Sequence, residues 1–501
     1  MFVYVRKSIQ LALLCGACLT FDGRPANAQM QENCSPVYEA IIPLRNPDFN
    51  NLFEWRRVVG RTGYDWINNY VGLDDGFALT VGIASEDIHA EDAVRRLSIV
   101  RYDADGQIIR ERQVDVDALD DVVATLRDGE SIFVGANFVG ADDQKYLQIL
   151  RMNFDGEEIK PFILKENNED LVLSDMVYDS EGRITLAVKR TKHDGKDESS
   201  TVFYTLDKRT EILYQREYMP GTSNHLVSVG VNEDGSYMGA GAVEVGRTLD
   251  GAVREGGWIV NLDKKGAVYW QKPYARGAKA ELARARIYGD VGVVSVGTAW
   301  PSIEIAAAKH SSLWVMLTDT TGEPKWQRFI TGSDQYSYSA VDMHLYEDGR
   351  ITVLANAIAL VPSEKVRSHI RLITFSPQGT IIQDQAFVEG AEAMARALYV
   401  LDDGSFRITG QLYTGYAPRS EAMKEMLMTR AVEVDDEEMA EENAAGEEKS
   451  AFDQLRETTL ENSYYDSMDS DKRDESATLA PVIRGWLLAV AAAQGYNNPC
   501  R

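Results

Sequence analysis

Asp175, Arg284 and Asp342 stand at one fixed count before a turn that recurs along the chain, seven positions ahead of the turn's glycine place. Asn69, Val122, Ser228 and Ala397 hold that position in the other copies. Two positions further on, on the same face of an extended strand, lie Arg286 and His344. Acids, arginines and a histidine converging on one axis could hold a polar ligand or move protons between neighbours. Asn69, Asp175, Ser228, Arg284, Arg286, Asp342 and His344 are therefore the candidate binding residues. The plainer role of the same set is to line a water-filled channel. No catalytic residue is assigned.

Other chemistry finds little foothold. The six histidines are His89, His193, His225, His310, His344 and His369, and no two fall at metal-ligand spacing on one element, so no metal site is expected. There is no Gly-x-Ser-x-Gly elbow and no Walker-type phosphate loop. The run from Asp466 to Asp474 has the acids of a calcium loop. It carries Arg473 at the fifth position and lacks the sixth-position glycine, so it reads as a solvated acidic loop.

The elements that must position these residues follow from the repeat itself. Asp75-Gly76 is followed by Gly82, Asp128-Gly129 by Gly135, Glu181-Gly182 by Val188 and Asp234-Gly235 by Gly241. Asp348-Gly349 is followed by Ala355 and Asp403-Gly404 by Gly410, with a degenerate copy at Asp290-Val291 and Gly297. The steps are 53, 53, 53, 56, 58 and 55 residues. In each unit an apolar run precedes the turn and a second follows it. A third strand such as Gly257-Trp-Ile-Val-Asn-Leu262 leads to a second tight turn, as at Lys265-Gly266 or Thr321-Gly322. A fourth strand such as Lys325-Trp-Gln-Arg-Phe329 closes the unit. Apolar residues alternate or run in short blocks between glycine turns, which is strand patterning rather than helical patterning. Four antiparallel strands per unit, repeated seven times, predict an all-β, seven-bladed β-propeller whose first strands line the channel.

Unit seven is interrupted. Its first two strands are Met394–Leu401 and Phe406–Tyr413, and its third is matched by Gly485-Trp-Leu-Leu-Ala-Val490. Its fourth strand is supplied by the other end of the chain: Phe53-Glu-Trp-Arg-Arg-Val-Val59 matches Lys325-Trp-Gln-Arg-Phe329. The ring is thus expected to close through an N-terminal strand in the last blade. The expected organisation is residues 1–28 as a signal segment and 29–413 as the main part of the propeller. Residues 414–482 form an acidic insertion within the last blade, and 483–501 supply its third strand and the tail.

The turn junctions Leu262-Asp-Lys-Lys-Gly266-Ala-Val-Tyr-Trp270 and Leu317-Thr-Asp-Thr-Thr-Gly322-Glu-Pro-Lys-Trp326 resemble those of the quinoprotein-like (PQQ-like) repeat propellers of exported bacterial proteins. The resemblance covers residues ~60–412 as a repeat pattern. It implies that a tryptophan after the turn docks one blade on the next. Seven units rather than eight, and no vicinal cysteine pair, argue against a bound pyrroloquinoline quinone, and no cofactor is expected.

The two ends speak to compartment. Arg6 and Lys7 precede an apolar run from Ile9 to Phe21, and Ala26-Asn27-Ala28 has the small-x-small form of a cleavage site. The run is short for a bilayer span, and a periplasmic or secreted location is expected. Cys15 and Cys18 would leave with the signal, and Cys34 and Cys500 would remain as a disulfide candidate. The chain carries a formal net charge of −26. Residues 1–28 hold Arg6, Lys7, Arg24 and Asp22, so the processed chain would lie near −28. Such a charge repels nucleic acid and anionic lipid. From Glu433 to Glu475 there are 17 acids against Lys449, Arg456, Lys472 and Arg473. Within this insertion Glu421–Met428 and Phe452–Tyr465 could form short amphipathic helices around sequence too polar to bury a core. The expected function is a scaffold binding a protein or polymer partner, for which the acidic insertion suggests a basic one. The alternative is a hydrolase or lyase working at the channel mouth.

Overall fold

The computed structural model describes residues 37–44, 54–59, 64–84, 95–418 and 479–493, apart from 115, 117, 158, 194–198, 220–221, 249–250, 301–309, 332–335, 361–365 and 389–391. The expected signal segment, most of the expected acidic insertion with its two expected helices, Cys34, Cys500 and the calcium-like run lie outside the described residues.

Seven four-stranded antiparallel blades follow one another in chain order. Blade one runs from Tyr64 to Val114, two from Leu119 to Leu164, three from Glu169 to Tyr218 and four from Asn224 to Tyr274. Blade five runs from Lys279 to Thr331, six from Tyr336 to Phe387, and seven begins at Ala393. Blade seven takes Ala393–Val400, Phe406–Pro418 and Leu479–Val490 as its first three strands. Its fourth is the N-terminal strand β2, Trp55–Val59, antiparallel to Leu479–Val490 with Trp55 opposite Ala489. The ring therefore closes as the strand match between Phe53–Val59 and Lys325–Phe329 requires.

One strand has no counterpart in the sequence reading. Strand β1, Glu39–Pro43, lies parallel to the outer strand of blade five, with Glu39 opposite Gln327 and Pro43 opposite Thr331. Arg276 pairs with Glu39, and Arg328 Nη1 donates to the Val37 carbonyl at 2.8 Å. Ile41 stays exposed, while Leu44, just past the strand, is buried in the core with residues of blades five and six.

The small residue six places after each turn glycine has a steric cause. A Cβ at Gly241, Gly297 or Gly410 would lie 2.0–2.1 Å from the carbonyl of His225, Glu281 or Met394 on the innermost strand. Those innermost strands shift register at this level, between Leu226 and Ser228, Leu282 and Arg284, and Ala395 and Ala397. On the other side, the same three glycines pair with Trp258, Trp314 and Trp486 of the third strands. All three indoles are fully buried. Blades four, five and seven are thus built around a bulge, a glycine and a tryptophan, and the bulge aims side chains into the channel, whereas blades three and six carry Val188 and Ala355 in the glycine's place.

Blade joins use a second device. Tyr218 Oη donates to the Gly266 carbonyl at 2.8 Å, Tyr274 Oη to Gly322 at 2.7 Å, and Arg328 Nε to Gly379 at 3.1 Å. In each case an outer-strand side chain reaches the second turn of the next blade. Trp326 Nε1 donates to the Pro377 carbonyl of blade six at 3.2 Å, the blade-to-blade docking expected of it. These turn glycines adopt φ between +75° and +84°, which a side chain would strain.

Candidate functional site

Along the innermost strands the chain runs from a loop face toward the Asp-Gly turns, and the bulge marks mid-channel. There Arg284 of blade five bridges the channel. Its Nε donates to Asp342 Oδ1 of blade six at 2.9 Å, and its Nη1 lies 3.2 Å from Asp175 Oδ2 of blade three. Both carboxylates are also held by backbone. Asp175 accepts from Met176 N at 2.8 Å and from Val229 N of blade four at 2.9 Å. Asp342 accepts from Met343 N at 2.9 Å and from Leu398 N of blade seven at 3.2 Å. These three side chains therefore join five blades.

The electrostatics follow from burial and pairing. Burial works to lower the Arg284 pKa, but Asp342 and Asp175 hold it above its ordinary value. Burial raises the Asp175 pKa, and the Arg284 charge and the backbone donors only partly offset this. Asn69 accepts from Tyr399 Oη at 2.9 Å, and burial raises that phenol's pKa. Ser228 is buried in the same zone.

One position differs from the count. Val122 is 3 % exposed and packs in the apolar core between blades one and two. Blade two has an extra register shift between Leu119 and Asp121, so the polar residue delivered there is Asp121. Arg396, from blade seven, reaches Asp121 Oδ1 at 3.1 Å and Asn68 Oδ1 of blade one at 3.0 Å, and lies over the Trp66 ring. This second cross-channel cluster escaped the sequence reading. Asn68, Asp121 and Arg396 each sit one residue before a counted position, where strict alternation points a side chain away. For Arg396, a charged residue between Ala395 and Ala397, that setting was the available signal; Asn68 and Asp121 carry none in their neighbours. Nearer the loop face, His225 Nε2 lies 3.0 Å from Glu281 Oε2. Burial favours the neutral acid there, but the contact and charge of His225 keep the Glu281 pKa below its ordinary value.

Arg286 and His344 sit on the turn-face side of the ion bridge and line a cavity of about 330 Å³ with Arg284, Asp342, Ile287 and Val400. Gly230 of blade four makes room for Arg286: a Cβ there would lie 2.3 Å from Arg286 Nη1. Arg286 donates to the Ala285 carbonyl at 3.0 Å and forms no ion pair among the described residues. Burial, then the neighbouring Arg284, lower its pKa. The His344 ring packs edge-on against Tyr346 at 4.5 Å, and burial and then Arg350 lower its pKa. Among the described residues no cluster of three or more histidines, cysteines and acids could hold a metal ion. No helix among them is long and apolar enough to cross a membrane.

No family model matches the chain, and no curated protein matches it. Among solved structures it is similar to the β-propeller domain of the Trilobed protease from Pyrococcus furiosus, at 10% identity and a TM-score of 0.39 over 69% of this chain and 91% of that one. It is similar to the acylaminoacyl peptidase of Pyrococcus horikoshii at 10% identity and a TM-score of 0.39, over 72% of this chain and 50% of that one. It is also similar to a protein of unknown function from Dyadobacter fermentans, at 12% identity and a TM-score of 0.39 over 64% of this chain and 96% of that one. These scores carry no argument for function, and the propeller assignment stands on the strand pairing.

Proposed function

We propose that this chain is an exported, non-catalytic propeller that holds a protein or polymer partner on its loop face. The observation that carries the reading is the use to which the channel's charges are put. Asp175, Asp342 and Asp121 are each tied to an arginine and to backbone N–H groups, and Glu281 is tied to His225. A general base needs an oxygen within reach of substrate and a pKa near the working pH. These carboxylates are spent on joining blades. The hydrolase or lyase alternative would have to use His344 and Arg286, the two cavity groups outside those pairs.

The loop face is favoured because the acidic insertion starts and ends there. Phe406–Pro418 and Leu479–Val490 pair out to Pro418 opposite Leu479, and Phe406–Pro418, at 13 residues, is longer than the second strands of the other blades, which have 9 or 11. The intervening segment carries 17 acids between Glu433 and Glu475, a composition suited to a basic partner. Arg6, Lys7 and Ala26-Asn27-Ala28 support export to the periplasm or beyond. Docking of Trp326 on Pro377 supports kinship with the quinoprotein-like repeats.

The test is affinity capture from a bacterial envelope fraction with residues 29–501 and with a variant in which a short Gly-Ser link replaces 419–478. The reading expects a partner retained by the intact chain and lost from the variant. Retention of nothing by either form, with hydrolysis of a supplied ester or peptide pool, would overturn it.

A further inference from the structure

The turn-face cavity lies on the opposite side of the ring from the insertion and has a chemistry of its own. Its volume of about 330 Å³ sits at the lower end of small-molecule sites. It is walled on one side by Ile287, Leu345, Leu398 and Val400. Ile287 is 37 % exposed and open to solvent at the cavity. The other side presents Arg286 and His344.

The balance of charge decides what fits. Two arginines and two acids meet here, but the acids' oxygens are already occupied. Asp342 Oδ1 takes Arg284 Nε and Met343 N, and Oδ2 takes Leu398 N. Asp175 Oδ2 takes Arg284 Nη1 and Val229 N, and Oδ1 takes Met176 N. Arg286 spends one donor on the Ala285 carbonyl, and the rest of its fork has no acceptor among the described residues. His344 makes no hydrogen bond among them either, and it feels the positive charges of Arg350 and Arg286. A guanidinium fork matches the two oxygens of a carboxylate or phosphate, whereas an ammonium would meet Arg286 head-on.

We propose that this cavity binds a small organic oxyanion, with a carboxylate or phosphate head on Arg286 and His344 and a short apolar body against Ile287, Leu345 and Val400. Gly230 belongs to the site as the residue whose missing side chain lets the guanidinium lie in the cavity. The inference is independent of what the loop face holds.

The test is a calorimetric titration of the processed chain with hexanoate, hexan-1-ol and inorganic phosphate, beside the variants Arg286→Gln and Arg286→Lys. Hexanoate should bind the native chain. Its affinity should fall at least about tenfold in Arg286→Gln and less in Arg286→Lys, which keeps the charge without the fork. Hexan-1-ol should bind at least about tenfold more weakly than hexanoate, and phosphate more weakly for want of the apolar contacts. Should Arg286→Gln not fold, the His344 Cε1 resonance of the native chain serves instead, and it should move with hexanoate and stay with hexan-1-ol. No hexanoate binding, equal affinity in Arg286→Gln, hexan-1-ol binding as tightly as hexanoate, or an unmoved His344 resonance would each overturn the proposal.

Discussion

Arg57 Nε donates to the Gly106 carbonyl at 3.4 Å, which fastens the N-terminal strand of blade seven to the second turn of blade one. Arg328 makes the corresponding bond to Gly379 between blades five and six. The two arginines hold matching places in the sequences Trp55-Arg-Arg57 and Trp326-Gln-Arg328. Ring closure thus reuses the joint that holds the other blades together.

Arg57→Ala should cost about 1–2 kcal/mol, the worth of a charge-assisted bond at a partly exposed site. Because β2 holds the ring shut, the loss should appear in thermal unfolding and as faster amide exchange in both β2 and Leu479–Val490. Arg328→Ala should cost more, since that guanidinium is buried and also binds Val37 and Gln378. Equal exchange in Arg57→Ala and native chains would remove Arg57 from the closure.

Asp342→Asn should destabilise by about 3 kcal/mol or more, because it weakens one arm of a buried bridge and leaves Arg284 less well paired. The triple variant Asp175→Asn, Arg284→Met, Asp342→Asn should recover part of that loss, since Arg284 is removed together with its two partners, while Arg286 keeps its charge without the two nearby acids. Denaturant unfolding of the single and triple variants separates the two effects.

Acid should unfold the protein partly through His369. Burial, with Arg371 nearby, pushes its pKa down to about 3, and its ring packs edge-on to Tyr336. A depressed folded-state pKa contributes stability that is present above the unfolded value near 6.5 and lost as pH falls toward the folded value. The melting temperature should therefore decline between about pH 6.5 and 3. His369→Gln should show a shallower decline. Parallel pH profiles for the two proteins would show that His369 does not set the slope.

Cys34 and Cys500 are proposed to pair. Val37 is bonded to Arg328 beside the blade-six turn residues Gln378 and Gly379, and the Ala493 carbonyl accepts from Arg350 of blade six at 3.4 Å. The described parts of both chain ends therefore approach blade six, which is the support for the pairing. Intact mass without reductant should be lighter by two hydrogens than after reduction. Equal masses would exclude the bond.

Much of this architecture was legible because turn glycines, small residues and third-strand tryptophans report steric necessities. Gly241, Gly297 and Gly410 cannot carry a side chain where the inner strand bulges. The channel positions of Asp175, Arg284, Arg286, Asp342 and His344 followed from the same count. Arg396 and Asp121 did not, because a bulge breaks the period of two on which strand reading depends. Strand β1 was also missed. Its hold on blade five comes from main-chain pairing and from Arg276 and Arg328, more than two hundred residues away, and nothing in Glu39–Pro43 names that partner.

The most direct measurement is the affinity of the triple variant, which lacks the Asp175–Arg284–Asp342 bridge, for the partner captured by the native chain. If the channel charges only join blades and binding takes place on the loop face, the dissociation constant should stay within about twofold of native. A folded triple variant that loses more than about tenfold in affinity would contradict the account and return the channel to the centre of the function.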